Sequence, residues 1–182
     1  MFFWIFISVI AIQRLIELKI AKKNENWMKA QGAVEFGQSH YPWMVLMHIG
    51  FFGILILETV LKGFAAASFW PVWMAVFILA QTVRIWVIMS LGKYWNTKII
   101  VLPESEITVK GPYKFLKHPN YLVVAVEIIV ISLIFNAYFT GVLFTLLNLW
   151  MMAVRIPEEE NALGSLTSYD SIFARKHIKS EK

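Results

Sequence analysis

The chain has 182 residues, 58% of them hydrophobic and 16% charged, with mean hydropathy +0.61, a formal charge of +5 and no cysteine. The length suits one domain, the composition is not that of a water-soluble one, and the lack of cysteine excludes a disulfide framework, Cys-ligated zinc, iron–sulfur clusters and a thiol nucleophile. A pI near 9.4 would suit a nucleic-acid binder, but the charges cluster beside apolar runs, as basic membrane flanks do, so no nucleic acid is expected as a partner.

Apolar runs place membrane spans at about 2–20, 41–61, 69–91, 121–135 and 138–154. The expected fold class is an all-α integral membrane protein, one membrane domain over residues 1–182 with about five transmembrane helices. Met1 to Ile12 has no basic segment before it and no small-residue cleavage site after it, so it reads as an uncleaved first helix. Arg14 and Glu17, three apart on one helical face, are expected to pair at the membrane edge as a snorkelling anchor. Residues 22–40 read as a polar connector, partly helical and broken at Gly32.

Pro42 suits the first turn of the second span, where its missing N–H costs nothing. His48 and Glu58 are ionisable groups within that span, each a candidate for a polar pocket or for a bond to a neighbouring helix. The short link Lys62 to Ser68 makes spans two and three antiparallel neighbours. Arg84 lies about two turns from the exit of span three at Gly92, close enough to snorkel.

The connector 92–120 is the longest, and its β-branched KIIVLP run followed by PESE and ITVKGPY predicts a short extended or hairpin-like excursion. Long loops in compact domains tend to be functional. The last two spans, joined at Asn136 and Ala137, are short for a bilayer and are expected to tilt little or to stop short of the far face. Glu127 lies about two turns into the fourth. The tail after Leu163 is polar and basic, and its last residues are expected to be mobile.

Of the 17 Lys and Arg, 14 fall between Lys19 and the end of the connector after span one, after span three, or from Arg155 onward. The positive-inside rule makes that face cytoplasmic, with the N-terminus outside and the C-terminus inside.

No GxGxxG, Walker A, HExxH or GxSxG pattern is present, so any cofactor is held by another device. The candidate is the stretch GPYKFLKHPNY, residues 111–121, answered by RIPEEENAL, residues 155–163, across one apolar hairpin. Gly111 and Pro112 signal a turn. Pro119 fits the start of a helix whose free N–H groups and positive dipole end suit an anionic group near His118 and Tyr121. Tyr113 and Tyr121 offer rings to a flat base or a cation. Arg155 and Glu159, four apart, share a helical face. Glu158 to Glu160 repel one another, which a positively charged ligand would relieve, although a solvated helix end fits Glu158. Pro157 predicts a kink that turns the acidic segment toward the loop ending at His118.

The pattern G-P-Y-x-x-x-[RK]-H-P-x-Y, a hydrophobic hairpin, then R-x-x-x-E-E-x-x-L resembles the isoprenylcysteine carboxyl methyltransferase family. It is carried here by Gly111, Pro112, Tyr113, Lys117, His118, Pro119, Tyr121, Arg155, Glu159, Glu160 and Leu163. The likeness is close from about Leu102 to Tyr169, and the N-terminal half, with RLIEL, HYPWM and KYWNTKIIVLP, looks like the shorter bacterial members. Lys117 departs from the more usual Arg, which weakens bidentate contacts and keeps the charge.

The resemblance implies an integral membrane enzyme of the bacterial cell membrane that moves a methyl group from S-adenosyl-L-methionine to a lipophilic acceptor, with no metal. It implies a catalytic region over about 93–170, facing the cytoplasm. Carried over, Leu102, Gly111, Tyr113, His118, Pro119, Tyr121, Glu159 and Glu160 bind the cofactor. Arg155 and Glu159 are catalytic, and Trp95, Asn96 and Arg155 meet the acceptor. The acceptor oxygen is either the carboxylate of an isoprenylcysteine-like compound or the hydroxyl of a long-chain phenol or pyrone. Two other readings stand beside this one. A membrane sterol-type reductase would use Lys93, Lys98, Lys110 and Lys114 for the NADPH 2′-phosphate, and a non-catalytic membrane scaffold would use the basic face.

Overall fold

The computed structural model describes residues 1–169. Five α-helices carry the fold: α1 Phe2–Ala30, α2 Tyr41–Leu61, α3 Trp70–Leu91, α4 Pro119–Ile134 and α5 Tyr138–Leu166. By length and apolarity α2, α5 and the segment Trp70–Tyr94 can each cross a membrane, and α4 is a shorter apolar helix. The chain is a multi-pass membrane protein. One end of the bundle, here the loop face, gathers the ends of α1, α3 and α5 and the starts of α2 and α4. The tail beyond Tyr169, with its expected mobility, lies outside the described residues.

The apolar core sits toward the far face. Phe3 meets Phe135 edge-on at 4.9 Å between ring centroids, and Phe6 meets Phe77 at 5.0 Å, so α1 is anchored to α3 and to the end of α4 by rings. Such pairs add to the area they bury. At that end Glu58 accepts hydrogen bonds from Phe139 N, Thr140 N and Thr140 Oγ1, and so satisfies orphan donors at the start of α5. Lys62 joins Glu58 to the Asn136 carbonyl. Glu58 is therefore a cap at the far face and not part of a pocket at the loop face.

Midway down the bundle lies an ionic cluster. The buried Arg84 donates Nε and Nη2 to the two oxygens of Glu17, each at 2.7 Å, and Nη1 to Glu127 at 3.0 Å. Arg14 bridges the same two carboxylates at 2.7 and 2.6 Å. Gln13 and Gln81 bond to each other and each to one carboxylate. Neither arginine acts as the simple snorkelling group expected from its position. The reason is that Glu17 and Glu127, both buried, need cations within a low-dielectric interior, and two of each sign cancel.

α1 continues beyond the apolar run to Ala30, past residues that read as connector. Its buried positions Glu17, Ala21, Asn24, Glu25 and Met28 recur at helical spacing, so one stripe stays against the protein as the helix leaves the apolar zone. Gly32, at φ +88°, ends it. A two-residue-wide clamp follows: Asn24 Nδ2 donates to Trp95 O at 2.7 Å and to Gly92 O at 3.1 Å, and Asn96 Nδ2 donates to Ala21 O.

The long loop holds two 3₁₀ turns, Gly92–Tyr94 and Gly111–Lys114, and strand β2, Ile99–Val101. β2 does not close a hairpin within its own loop. It pairs antiparallel with β1, Val34–Phe36, in the register Val34 to Val101 and Phe36 to Ile99. β2 then buries Ile99 and Val101 against Ala162 of α5. α5 stays helical through Pro157, so its acidic stretch belongs to the same helix as the span. At about 43 Å it outlasts the hydrocarbon core by more than two turns.

Arg84→Met should lower the unfolding midpoint in detergent more than any surface Lys→Ala, because removing one partner of a buried pair costs roughly 3–5 kcal/mol. An unchanged midpoint would mean that the cluster is hydrated. A second outcome concerns the α1 extension. Burial alone would raise the Glu25 carboxyl, but hydrogen bonds from Lys29, Lys98 and Lys22 hold it at about 2, below the ordinary 4.5. The folded value is the lower one, so its stabilisation is complete above about pH 4.5 and is lost as pH falls toward 2. Glu25→Gln should flatten that acid loss in a melting-point series.

Candidate active site

α4 begins at the loop face because Pro119 fixes its first turn and His118 precedes it as the cap residue. The 3₁₀ turn before it rests on α3. Gly111 has φ +59°, and a Cβ there would collide with Ser90 Oγ and meet Trp86 Nε1 at 3.0 Å. Glycine is thus required for packing at this corner, and the turn it permits directs Tyr113 into a buried cluster with Ala21, Val87 and Trp95. Burial, with Glu159 adding to it, pushes the Tyr113 hydroxyl well above its usual range, so it stays protonated.

Across the hairpin, α5 brings Arg155, Glu159 and Glu160 to the same corner; four residues per step keeps the first two on one face. Tyr121 Oη donates to Glu159 Oε2 at 2.7 Å and accepts from Arg155 Nε at 3.3 Å. Arg155 Nη2 donates to the Thr97 carbonyl at 3.0 Å. His118 Nε2 lies 3.1 Å from Glu160 Oε1, and its Nδ1 is 3.7 Å from Glu159 Oε2. Lys117 and Tyr169 also reach Glu160, each at 3.3 Å. Burial acts against the Glu160 charge, but His118 and Lys117 outweigh it and keep this carboxyl below its usual range.

Two cavities of about 140 Å³ each open beside these groups. Their walls share Leu91, Asn96, Lys98, Ile99, Tyr113, Lys117, His118 and Glu159, so they are two lobes of one space. The loop-face lobe adds Leu102, Ser105, Glu106, Thr108, Leu163 and Tyr169. The membrane lobe adds Met44, Met47, His48, Arg84, Val124, Asn148, Met151, Met152 and Arg155. Three atoms in the membrane lobe's walls are buried without a hydrogen-bond partner among the described residues: Arg155 Nη1, Trp95 Nε1 and Asn120 Oδ1. Native proteins rarely leave such groups unmatched, and a guanidinium nitrogen least of all. Their grouping leaves room for a water or a polar ligand at this corner.

Of the residues singled out by sequence, Leu102, Tyr113, His118, Tyr121, Glu159, Arg155, Trp95 and Asn96 all line the space. Gly111 and Pro119 do not; they shape the turn and the helix start. Glu160 stands behind His118 and outside both lobes. Asn96 spends its amide on Ala21 O and Lys98 N, which limits what it offers a ligand. Sequence reasoning passed over Thr97, whose contribution is a backbone carbonyl, and Asn148, a lone amide in an apolar span. The second carried a signal, since polar groups within spans are costly. Lys98, one of the lysines available to an NADPH phosphate, is committed to Glu25 and Glu35 at 3.0 and 3.1 Å.

The profile of the Isoprenylcysteine carboxyl methyltransferase (ICMT) family matches residues 73–165, a segment that runs from within α3 through the long loop and along the α4–α5 hairpin. The chain is 48% identical over 161 residues to a Bacillus subtilis protein named "Uncharacterized protein YpbQ", covering 88% of this chain and 96% of that one. It is 30% identical over 162 residues to an "Uncharacterized protein" of Haemophilus influenzae, covering 88% and 94%. No solved structure matches it. With its two motifs drawn together around one two-lobed cavity, the chain belongs to the isoprenylcysteine carboxyl methyltransferase family.

Proposed function

We propose that this protein uses S-adenosyl-L-methionine to O-methylate a lipophilic acceptor, with the loop face in the cytoplasm. The observation that carries the reading is the two-lobed cavity, one lobe bounded by the loop segment Leu102 to Thr108 and the other reaching down the bundle among Met44, Met47, Val124 and Met151, with the unpartnered Arg155 Nη1 in the wall of the second. A hydrophilic cofactor and a greasy acceptor need access from different solvents, and the two lobes meet that need.

The residues fit the cofactor. The loop-face lobe combines the carboxylates of Glu106 and Glu159, which suit the cofactor's cationic end, with the rings of Tyr94, Tyr113 and Tyr169, and the start of α4 adjoins it at His118. When bound, S-adenosylmethionine supplies a methyl group on a positively charged sulfur, ready for in-line displacement. Glu159 and His118 lie in the wall common to both lobes and so border both ligands. Arg155, held by the Thr97 carbonyl and by Tyr121, presents Nη1 to the acceptor oxygen. Tyr121 is fixed in turn by Glu159, so one hydrogen-bond chain aligns both sides of the reaction. Alignment is what this displacement most requires. A carboxylate acceptor is already ionised at neutral pH, whereas a phenol or enol would use Glu159 or His118 as base. Lys98 is tied to two glutamates, which speaks against a reductase that grips a 2′-phosphate at this loop.

The direct test incubates membranes holding the protein with methyl-labelled S-adenosylmethionine and a lipid extract, then identifies the labelled product. A labelled ester marks a carboxylate acceptor and a labelled ether a hydroxyl. Arg155→Ala and Glu159→Ala should each cut methyl transfer at least 100-fold, and Tyr121→Phe about 10-fold, in proteins whose melting points stay near wild type. A variant at Arg155 with full turnover would remove it from the mechanism.

A further inference from the structure

Arg155 takes one of its anchors from the long loop, where its Nη2 donates to the Thr97 carbonyl at 3.0 Å. Thr97 belongs to the short run between the 3₁₀ turn Gly92–Tyr94 and β2, which is neither helix nor strand. Such a run is held in place by its partners and not by a ladder of its own.

The partners come chiefly from α1. Asn24, buried on the extension of that helix, donates Nδ2 to the Trp95 carbonyl at 2.7 Å and to the Gly92 carbonyl at 3.1 Å. Asn96 is then fixed at both ends of its amide. It donates to the Ala21 carbonyl and accepts from Lys98 N, each at 3.0 Å. Tyr41 of α2 adds only a contact of 3.4 Å with the Thr97 hydroxyl, at the limit of a hydrogen bond. The carbonyl that Asn24 grips and the carbonyl that grips Arg155 are two residues apart, at most about 7 Å of chain. The residue between them is pinned, so a displacement at Trp95 has no slack to disappear into before it reaches Thr97.

We propose that Asn24 is a positioning residue for Arg155: through Trp95 and Thr97 it sets where the guanidinium stands, although it lines neither lobe itself. This rests on the reading of Arg155 as the group that meets the acceptor oxygen. The choice of asparagine has a chemical reason. Two carbonyls side by side call for two N–H donors on a short stem with no charge to bury, and an amide supplies them. Aspartate would set oxygen against oxygen, and leucine would leave both carbonyls without this donor. Trp95 and Thr97 wall the membrane lobe and not the loop-face lobe. Loss of Asn24 should therefore show in the methyl-transfer step and not in cofactor binding.

The test compares wild type with Asn24→Leu and Asn24→Asp, both close to asparagine in size, and with Asn26→Ala on the exposed side of the same helix. All are full chains in lipid nanodiscs. Transfer of label from methyl-labelled S-adenosylmethionine to a lipid extract is measured at saturating cofactor, per folded molecule. Both Asn24 variants should turn over about ten-fold more slowly, with KM for S-adenosylmethionine within about two-fold of wild type. Asn26→Ala should match wild type. The link is also read without turnover, from the melting points of Asn24→Leu, Arg155→Met and the double variant. Separate sites with no shared partner ordinarily add, so the double shift should fall short of the sum by about a third or more. Wild-type turnover in either Asn24 variant, a rise in KM that accounts for the loss, or additive shifts would overturn the proposal. No label transfer even by wild type, with the shifts still non-additive, would count against the methyltransferase reading alone.

Discussion

Ionised side chains that give up water inside a membrane protein have to satisfy one another, and Arg14, Glu17, Arg84 and Glu127 do so across α1, α3 and α4. Two charges of each sign leave no net charge to bury, and Gln13 and Gln81 occupy further oxygens of the two carboxylates. The arrangement is costly to assemble and more costly to leave incomplete. It fixes the rotation of α1 about its axis, because Glu17 has to face Arg84. Once that face is set, Ala21, Asn24, Glu25 and Met28 follow it inward, and the clamp on Gly92 and Trp95 falls into place. The position of the long loop is therefore inherited from an ionic contact half a helix away.

The polar groups of the site follow one another down the bundle from the loop face. At the loop face, Glu160, Lys117, His118 and Tyr169 form a network open to water. Glu159, Tyr121 and Arg155 come next, more enclosed, and end in a guanidinium nitrogen that no protein atom among the described residues satisfies. Below them the walls turn to methionine and valine, interrupted by His48 and Asn148. In the reading proposed above, the water-soluble donor and the lipid meet where Arg155 stands.

Much of this was legible in the sequence, for physical reasons that differ by element. The starts of α2, α3 and α4 carry proline in the first turn, and Gly32 and Gly92 mark ends by their positive φ, so local chemistry writes these boundaries. The facing of 111–121 and 155–163 followed from their place at the two mouths of one hairpin. What was not legible depends on partners far away in the chain. Glu17 and Arg84 are 67 residues apart, and nothing local to either distinguishes a buried pair from two snorkelling groups. The KIIVLP run read as an extended or hairpin-like excursion; it is extended, but its partner lies before α2, in a segment with little strand character. The α1 extension looked like a connector because its polarity is genuine; only the buried stripe through Asn24 and Glu25 keeps it helical against the fold. Pro157 predicted that the acidic segment would reach the loop ending at His118, and the helix that runs through it does bring Glu159 to Tyr121 and Glu160 to His118.

The claim that organises the rest is that two ligands meet beside Arg155, one from each lobe. The measurement closest to it is an experimental structure of the protein with S-adenosylhomocysteine. The account predicts the ligand in the loop-face lobe, near Leu102, Tyr113 and His118, with its sulfur turned toward Arg155 and Tyr121. A ligand seated in the membrane lobe, or one whose sulfur points away from Arg155, would contradict it.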